Sequence, residues 1–468
     1  MGVALSLCAV AQDNAGVPYA LSFVQDTSGR FDALPAMHSF AFGEHGGHWV
    51  FVSGRTNGFH GFTPPGSNFS RGSANQHIVV FQPLGKPGQN VWTMAIANLS
   101  IATLAKDHLL SANTNTTQDG EDLVVVGGYG QSSAGPRQTY PAVSRIHLPT
   151  VIAAVKSNDT SLAASAIKTS QDERMRVTGG ELRKLDDGFF YLVFGHDFNG
   201  VYLMPNETQT YTNEVRRFRL AEGPGGAPTV VDYSVWTHPE EFHRRDLNVE
   251  HVLLPNGALA LSAYGGVFTP PTLPNGDVNP NGDMPYTKPI LISSSGATIE
   301  TGYEQKMSQY TCANIRLWDR RDSTMYTAFL GGLSRYTYNR TTRQFELAPK
   351  QGTPGQPGFL DGVPWIDTVT SLVRNSNGSY REHAHHEAPL PGYIGSNGKF
   401  VLHPSVRKAG PSGVKHDIID LRAIRRPTQI GWLVGGIQSH VEQNANDSSV
   451  AMKQVYRVYL WPLGVPYW

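Results

Sequence analysis

Six times along this chain a run of β-forming residues closes on glycine: Phe51-Val52-Ser53-Gly54, Val124-Val125-Val126-Gly127-Gly128, Leu192-Val193-Phe194-Gly195, Ala263-Tyr264-Gly265-Gly266, Phe329-Leu330-Gly331-Gly332 and Trp432-Leu433-Val434-Gly435-Gly436. Successive final glycines stand 74, 67, 71, 66 and 104 residues apart. That period is too long for a solenoid and suits a four-stranded propeller blade with generous loops. Glycine at the end of a strand lets the chain leave the sheet with positive φ and lets a neighbouring backbone come close. The pattern predicts an all-β chain, a six-bladed β-propeller. Seven blades are the alternative, because the 104-residue interval has room for one more.

With 38 basic and 38 acidic side chains the formal net charge is zero. Neither nucleic acid nor an anionic membrane surface is therefore an expected partner, since both need a basic field. A length of 468 residues alone suggests two or three domains, but a propeller is one continuous ring, so residues 19–468 read as a single domain. Residues 1–18 read as a leader. Their apolar run, residues 1–11, ends in Ala9-Val10-Ala11 before Gln12 and looks like the end of a secretory signal peptide without its basic start. That predicts a secreted or cell-surface protein, and Asn-x-Ser/Thr sequons such as those at Asn68, Asn98 and Asn115 are compatible with it. No other apolar run is long enough to span a bilayer. Loss of the leader would leave Cys312 without a partner for a disulfide. Ring closure would then have to come from strand pairing.

In the third repeat, 175–185, 189–195, 212–220 and 229–237 read as strands a to d, from the channel outward, with turn formers such as Asp186-Asp187-Gly188 between them. Residues 368–374 and 380–387 supply strands c and d of the fifth repeat, which leaves the excess length in the loop-like stretches 346–362 and 404–417. The last repeat has three strands and then ends. Residues 19–25 form a strand with no repeat of its own, so they are expected to close the ring by pairing with the C-terminal strand, which removes both sheet edges. The hydrophobic run closing in Gly-Gly, followed by a polar loop and an alternating strand, resembles the kelch-type, galactose-oxidase-like propellers. The resemblance implies the fold and no particular activity.

On a propeller the d–a and b–c connections share the face around the channel mouth. The segments expected there carry His38, Arg55, Asn57, Phe59, His60, Phe62, His196, Phe198, Tyr202, His243, Arg244, Arg245 and Tyr310. His38, Arg55, His60, His196, His243, Arg244 and Arg245 are expected to surround one pocket, with Asn57, Phe59, Tyr202 and Tyr310 as further ligand-binding groups. Arg244-Arg245-Asp246 has a second reading, as bidentate pairs that lock neighbouring blades together. Aromatic faces beside polar donors suit a sugar. The expected function is carbohydrate binding at the channel mouth, with a polysaccharide lyase in the same funnel, or an extracellular protein-interaction module, as alternatives.

Elimination beside a uronate needs a cation for the carboxylate, a base and an acid. Arg55, Arg244 or Arg245 could serve as the first, a histidine as the second, and Tyr202 or Tyr310 as the third. The copper-radical chemistry of galactose oxidase needs a Tyr–Cys cross-link, and here Cys312 is the one candidate thiol. No Tyr-His dipeptide matches that family's ligand pair. Two metal readings remain. His383 and His385, two apart on a strand, could share a transition metal. Asp277, Asn279, Asn281 and Asp283 resemble the first half of a calcium loop, although Lys288 stands where its bidentate Glu belongs.

Overall fold

The valine-rich and aromatic runs that end on glycine become the second strand of each of six blades of four antiparallel strands, one of them joined by a fifth, parallel strand. The structure is a computed structural model describing residues 16–60, 68–202, 204–272, 276–279, 282–352, 358–443 and 449–463. The leader reading for residues 1–11, Phe62 and the calcium-loop residue Asn281 lie outside them. Blade 1 is Ala41–His45, His48–Val52, His77–Phe81 and Val91–Ala95; blade 2 is Asn115–Asp119, Asp122–Val126, Ala142–His147 and Ile167–Gln171. Glu181–Lys184, Phe190–Val193, Glu214–Glu222 and Pro228–Thr237 make blade 3, and Asn248–Leu253, Leu259–Tyr264, Ile290–Ser293 and Gly296–Ile299 make blade 4. In blade 5 the strands are Asn314–Asp319, Thr324–Leu333, Trp365–Arg374 and Tyr380–Ala384.

Blade 6 takes three strands from the C-terminal part of the chain, Lys399–Leu402, Thr428–Val434 and Tyr456–Pro462, and its outermost strand from Tyr19–Gln25. The register runs antiparallel from Tyr19 opposite Pro462 to Gln25 opposite Tyr456. Tyr19 and Leu21 are buried in a cluster with Ile430, Leu433, Val458 and Leu460. The Tyr19 hydroxyl also hydrogen-bonds Ser371 Oγ of blade 5 at 2.7 Å. Ring closure is thus by strand exchange between the two ends. The architecture is a six-bladed β-propeller. Among the described residues the long interval holds no seventh blade. Its extra residues form two hairpins, Tyr336–Asn339 with Gln344–Leu347 and Lys350–Gln351 with Leu360–Asp361, and a short strand, Ile418–Asp420, that pairs parallel to the innermost strand of blade 5.

A ring of backbone hydrogen bonds ties the blades together at the mouth end. The N–H of the last glycine in each blade donates to a carbonyl in the loop leading into the next: Gly54 to Ser111, Gly128 to Val177, Gly195 to Arg244, Gly266 to Gln309, Gly332 to Ile394 and Gly436 to Met37, at 2.6–3.2 Å. These glycines have φ between +89° and +102°, and the residue before each is also left-handed, with φ of 58–64°. Two successive left-handed residues turn the N–H outward toward the neighbour, which is why glycine comes in pairs. A Cβ on Gly127 would lie 1.8 Å from the Val177 carbonyl oxygen, the atom that accepts from Gly128.

Two helices missed in the sequence, Leu148–Ser157 and Thr160–Ser165, sit between the outer strands of blade 2. Proline in the first turn starts the former, Asn158 in a left-handed conformation ends it, and Asp159 caps the latter by accepting from Leu162 N–H at 2.9 Å. Leu148, Val151, Ile152 and Val155 bury against Val50, Val52, Ile78 and Val80 of blade 1. Each contributes about 1.5–3 kcal/mol by leaving water.

Deleting residues 16–25 is expected to abolish cooperative unfolding, since it leaves Tyr456–Pro462 as an uncovered edge; an unchanged calorimetric transition would refute closure by this strand. Gly127→Ala should cost more than about 3 kcal/mol in urea unfolding, because strain and clash combine. Gly46→Ala is its control: φ is +56° but nothing lies within 4 Å of the added Cβ, so it should cost only about 1 kcal/mol.

Candidate functional site

The glycine turns aim the chain over the channel mouth, and the segments just beyond them build a roof. Tyr129–Gln131 comes after Gly127-Gly128 of blade 2, and His196–Asn199 after Phe194-Gly195 of blade 3. With Arg137–Thr139 and Thr208–Tyr211 they form a separate four-stranded sheet. The b–c loop of blade 1 reaches across to it. The His60 and Tyr202 rings meet edge to face with centroids 4.4 Å apart, and Phe69 stands 5.0 Å from Tyr129.

Beneath lies a cavity of about 130 Å³ walled by the rings of Phe59, Phe69, Tyr129, Phe198, Tyr202, Phe268 and Tyr310. An apolar cavity of about 150 Å³ admits benzene, so this one takes a single six-membered ring. Its polar groups are His60, Asn113, Thr178, His196, Arg245, Asp246 and Asp361. Gly179, with φ +65°, keeps space open between Asp246 Oδ1 and His196 Nε2: a Cβ there would lie 3.2 Å from the first and 3.5 Å from the second.

Most of these polar groups are already held. Arg245 donates to the Tyr211 hydroxyl at 3.0 Å and the Tyr202 hydroxyl at 3.4 Å, and its Nε lies 3.4 Å from Asp246 Oδ2. Tyr310 hydrogen-bonds the Asp246 carboxylate, and burial pushes its phenol well above the usual range. Gln209 Nε2 donates to His196 Nδ1 at 2.7 Å, which places the ring proton on Nε2, facing the cavity. The pocket thus presents ring faces, donors and the carboxylate of Asp361, whose Oδ1 accepts from Val363 N–H at 2.8 Å.

The seven residues expected around one pocket divide. His60, His196 and Arg245 line it, as do Phe59, Tyr202 and Tyr310. Arg55 stands behind Phe69, its guanidinium 4.2 Å from the ring centroid, and Asn57 accepts from Arg55 Nε at 3.1 Å. Behind Arg55 is His38, the two paired through both backbone hydrogen bonds at 2.9 and 3.0 Å. His243 backs the roof, stacked on Tyr211 at 3.7 Å with Nδ1 3.0 Å from Asn213 Oδ1. Arg244 turns away into the protein, where it is fully buried and donates to the carbonyls of Glu241, Gly265 and Lys288 and to the Glu241 carboxylate. The sequence missed Phe69, Tyr129, Tyr211 and Phe268, whose one signal is an aromatic residue in a loop after a closing glycine.

Below the mouth the channel is polar. Glu181, Arg183, Glu250, Asn314, Arg316 and Lys399 project into it from inner strands. Arg183 bridges Glu181 and Glu250 at 2.7 and 3.2 Å, and Arg316 pairs with the other Glu250 oxygen. Burial works against the Glu250 charge, yet Arg316 and Arg183 bring it down to about 2. Alternating charge on a strand otherwise expected to be buried was the signal available. Cys312 lines this lower part, its thiol pushed up to about 12 by burial.

His383 and His385 lie on and just after the outermost strand of blade 5, ring centroids 5.0 Å apart, and His385 Nε2 hydrogen-bonds Ser371 Oγ at 2.8 Å. Among the described residues no group of three or more His, Cys, Asp or Glu side chains is placed to hold a metal ion. In the candidate calcium loop, Asn279 donates its side-chain amide to the Pro270 carbonyl and Asp283 N–H donates to the Thr269 carbonyl. No helix of the described residues is long and apolar enough to cross a membrane.

No protein-family model matches the sequence, and no curated protein is significantly similar to it. Among solved structures, the one titled "Structure of YjhT" aligns with a TM-score of 0.47 and 8% identity, over 92% of this chain and 98% of that one.

Burial and then the nearby Arg55 charge push His38 down to about 3. Burial followed by Arg245 brings His243 to about 4, and burial, Arg245 and His243 hold His196 well below its usual value. Folded values below the unfolded 6.5 mean that this stability is complete above pH 6.5 and is lost as pH falls toward 4 and 3. Each buried histidine adds a slope of up to about 1.4 kcal/mol per pH unit. Glu382, raised to about 7 by burial, acts oppositely: its contribution is complete below pH 4.5 and lost as pH rises through 7. The measurement is therefore a difference. Between pH 6.5 and 4, His38→Gln should shed about one proton's worth of slope relative to wild type in urea unfolding.

Proposed function

We propose that this propeller is a binding protein whose mouth pocket takes one sugar ring of a glycan or a free monosaccharide. The observation that carries the reading is a ring-sized cavity walled by seven aromatic side chains, with Arg245, His196, Asn113 and Thr178 at its edges. The C–H faces of a pyranose pack on aromatic rings while its hydroxyls seek fixed donors and acceptors, and this lining offers both. The volume favours one ring over a bound chain.

A lyase would use the same pocket but asks different things of it. Abstraction of a proton needs a base with a free lone pair. Here the Gln209 amide fills His196 Nδ1, Tyr310 is hydrogen-bonded to Asp246, and Asp246 already meets the charge of Arg245. Groups committed to one another in this way favour binding over turnover. The apolar start of the chain and the sequons support an extracellular setting in which glycans are met.

Titration calorimetry with a panel of methyl glycosides is the test. At least one should bind, and Tyr202→Ala should weaken it about tenfold or more, equivalent to about 1.4 kcal/mol, with a melting temperature within a few degrees of wild type. Absence of binding by any glycoside at millimolar concentration would overturn the reading.

A further inference from the structure

Among the described residues Arg55 is a buried cation without a counter-ion. It is 4% exposed, and among the described residues no carboxylate lies within ion-pair distance of it. A guanidinium carries five N–H donors. Of these the Nε–H alone is used, on Asn57 Oδ1. Nη2 is buried without any hydrogen-bond partner. Phe69 covers one flat face of the group, which stabilises the charge but accepts none of the in-plane hydrogens. The charge is felt by the phenols of Tyr129 and Tyr310, which come from blades 2 and 5 and line the mouth pocket. The guanidinium of blade 1 therefore sits behind the pocket wall with its terminal N–H edge unspent.

Four other arginines withdrawn from solvent meet a carboxylate. Arg183, Arg316, Arg244 and Arg245 each have a carboxylate within 3.4 Å. An unpaired buried charge is costly, and a buried donor without an acceptor adds to that cost. Such a group is retained where something outside the chain completes it. The rigid fork of a guanidinium matches two coplanar oxygens, as a carboxylate offers. Arg245 cannot take that role, because Asp246 and two phenols already occupy it.

We propose that the ligand of the mouth pocket is an acidic sugar, a hexuronate or a uronate-bearing glycan end, whose carboxylate is received by Arg55 with the Phe69 ring moving aside. This rests on the sugar-binding reading above, and the experiment separates the two.

Titration calorimetry of the full chain would compare glucuronate and galacturonate with glucose and galactose, all as methyl glycosides, and would include benzoate as an anion on a ring that is not a sugar. In the wild type at least one uronate should bind tenfold or more tightly than its neutral counterpart. In Arg55→Met that gap should fall to twofold or less, with the melting temperature unchanged or raised, since an uncompensated charge has been removed. Arg55→Lys, which keeps the charge and loses the fork, should retain part of the gap.

Uronate and neutral partner binding alike to the wild type would overturn the acidic-sugar proposal and leave sugar binding standing. Benzoate binding in an Arg55-dependent way with no glycoside bound would overturn the sugar reading and support the anion-receiving role of Arg55. A gap that persists undiminished in Arg55→Met, with a melting temperature several degrees lower than that of the wild type, would show that Arg55 is structural and overturn the proposal.

Discussion

Each blade of this propeller donates one backbone N–H, from its last glycine, to a carbonyl in the loop that opens the next blade, and the sixth donates back to the first. The geometry works because two consecutive left-handed residues turn the amide out of its own sheet. A side chain on the first of them would occupy the space of the accepting carbonyl in blades 2, 4, 5 and 6, where the added Cβ falls 1.8–2.6 Å from it. The contact is short, directional and repeated around a closed ring. The strand exchange between Tyr19–Gln25 and Tyr456–Pro462 completes it. The position of every loop at the mouth depends on it, because the same glycine turns send the b–c segments upward to build the roof.

Charge is handled differently along the axis. In the channel, Glu181, Arg183, Glu250 and Arg316 form a chain in which each carboxylate meets an arginine. Such a matched network offsets the cost of removing its members from water. At the mouth the Arg245–Asp246 pair is equally self-contained. Arg55 breaks the pattern, a cation with the burial of the others and none of their partners. Matched pairs give the pocket its shape, and the unmatched group indicates the chemistry of what enters.

The blade grammar was legible in the sequence because hydrophobic runs, turn formers and closing glycines act locally: the turn at 186–188 and the orphan strand at 19–25 needed no distant information. The helices 148–157 and 160–165 were not legible, because they interrupt a blade whose strands are already accounted for. Their apolar faces make sense only against blade 1. Arg244 and Arg245, adjacent and chemically alike, could not be told apart in the sequence, yet successive residues at this strand opening face opposite ways. One enters a carbonyl cage beside Tyr286, the other the pocket.

By itself the sequence determined the architecture: an all-β ring of six glycine-closed repeats, the face that carries the histidines, arginines and aromatic rings, and the terminal strand that closes the ring. These features come from short-range rules of strand, turn and backbone sterics, which are written in consecutive residues. The tertiary structure alone decided which of those side chains meet. Two b–c loops from neighbouring blades pair into a roof that neither could form alone, Phe69 covers Arg55, and carboxylates more than 60 residues away reach Arg183 and Arg316 while among the described residues none reaches Arg55. Partnership between distant side chains depends on blade geometry and burial, and no local pattern encodes it.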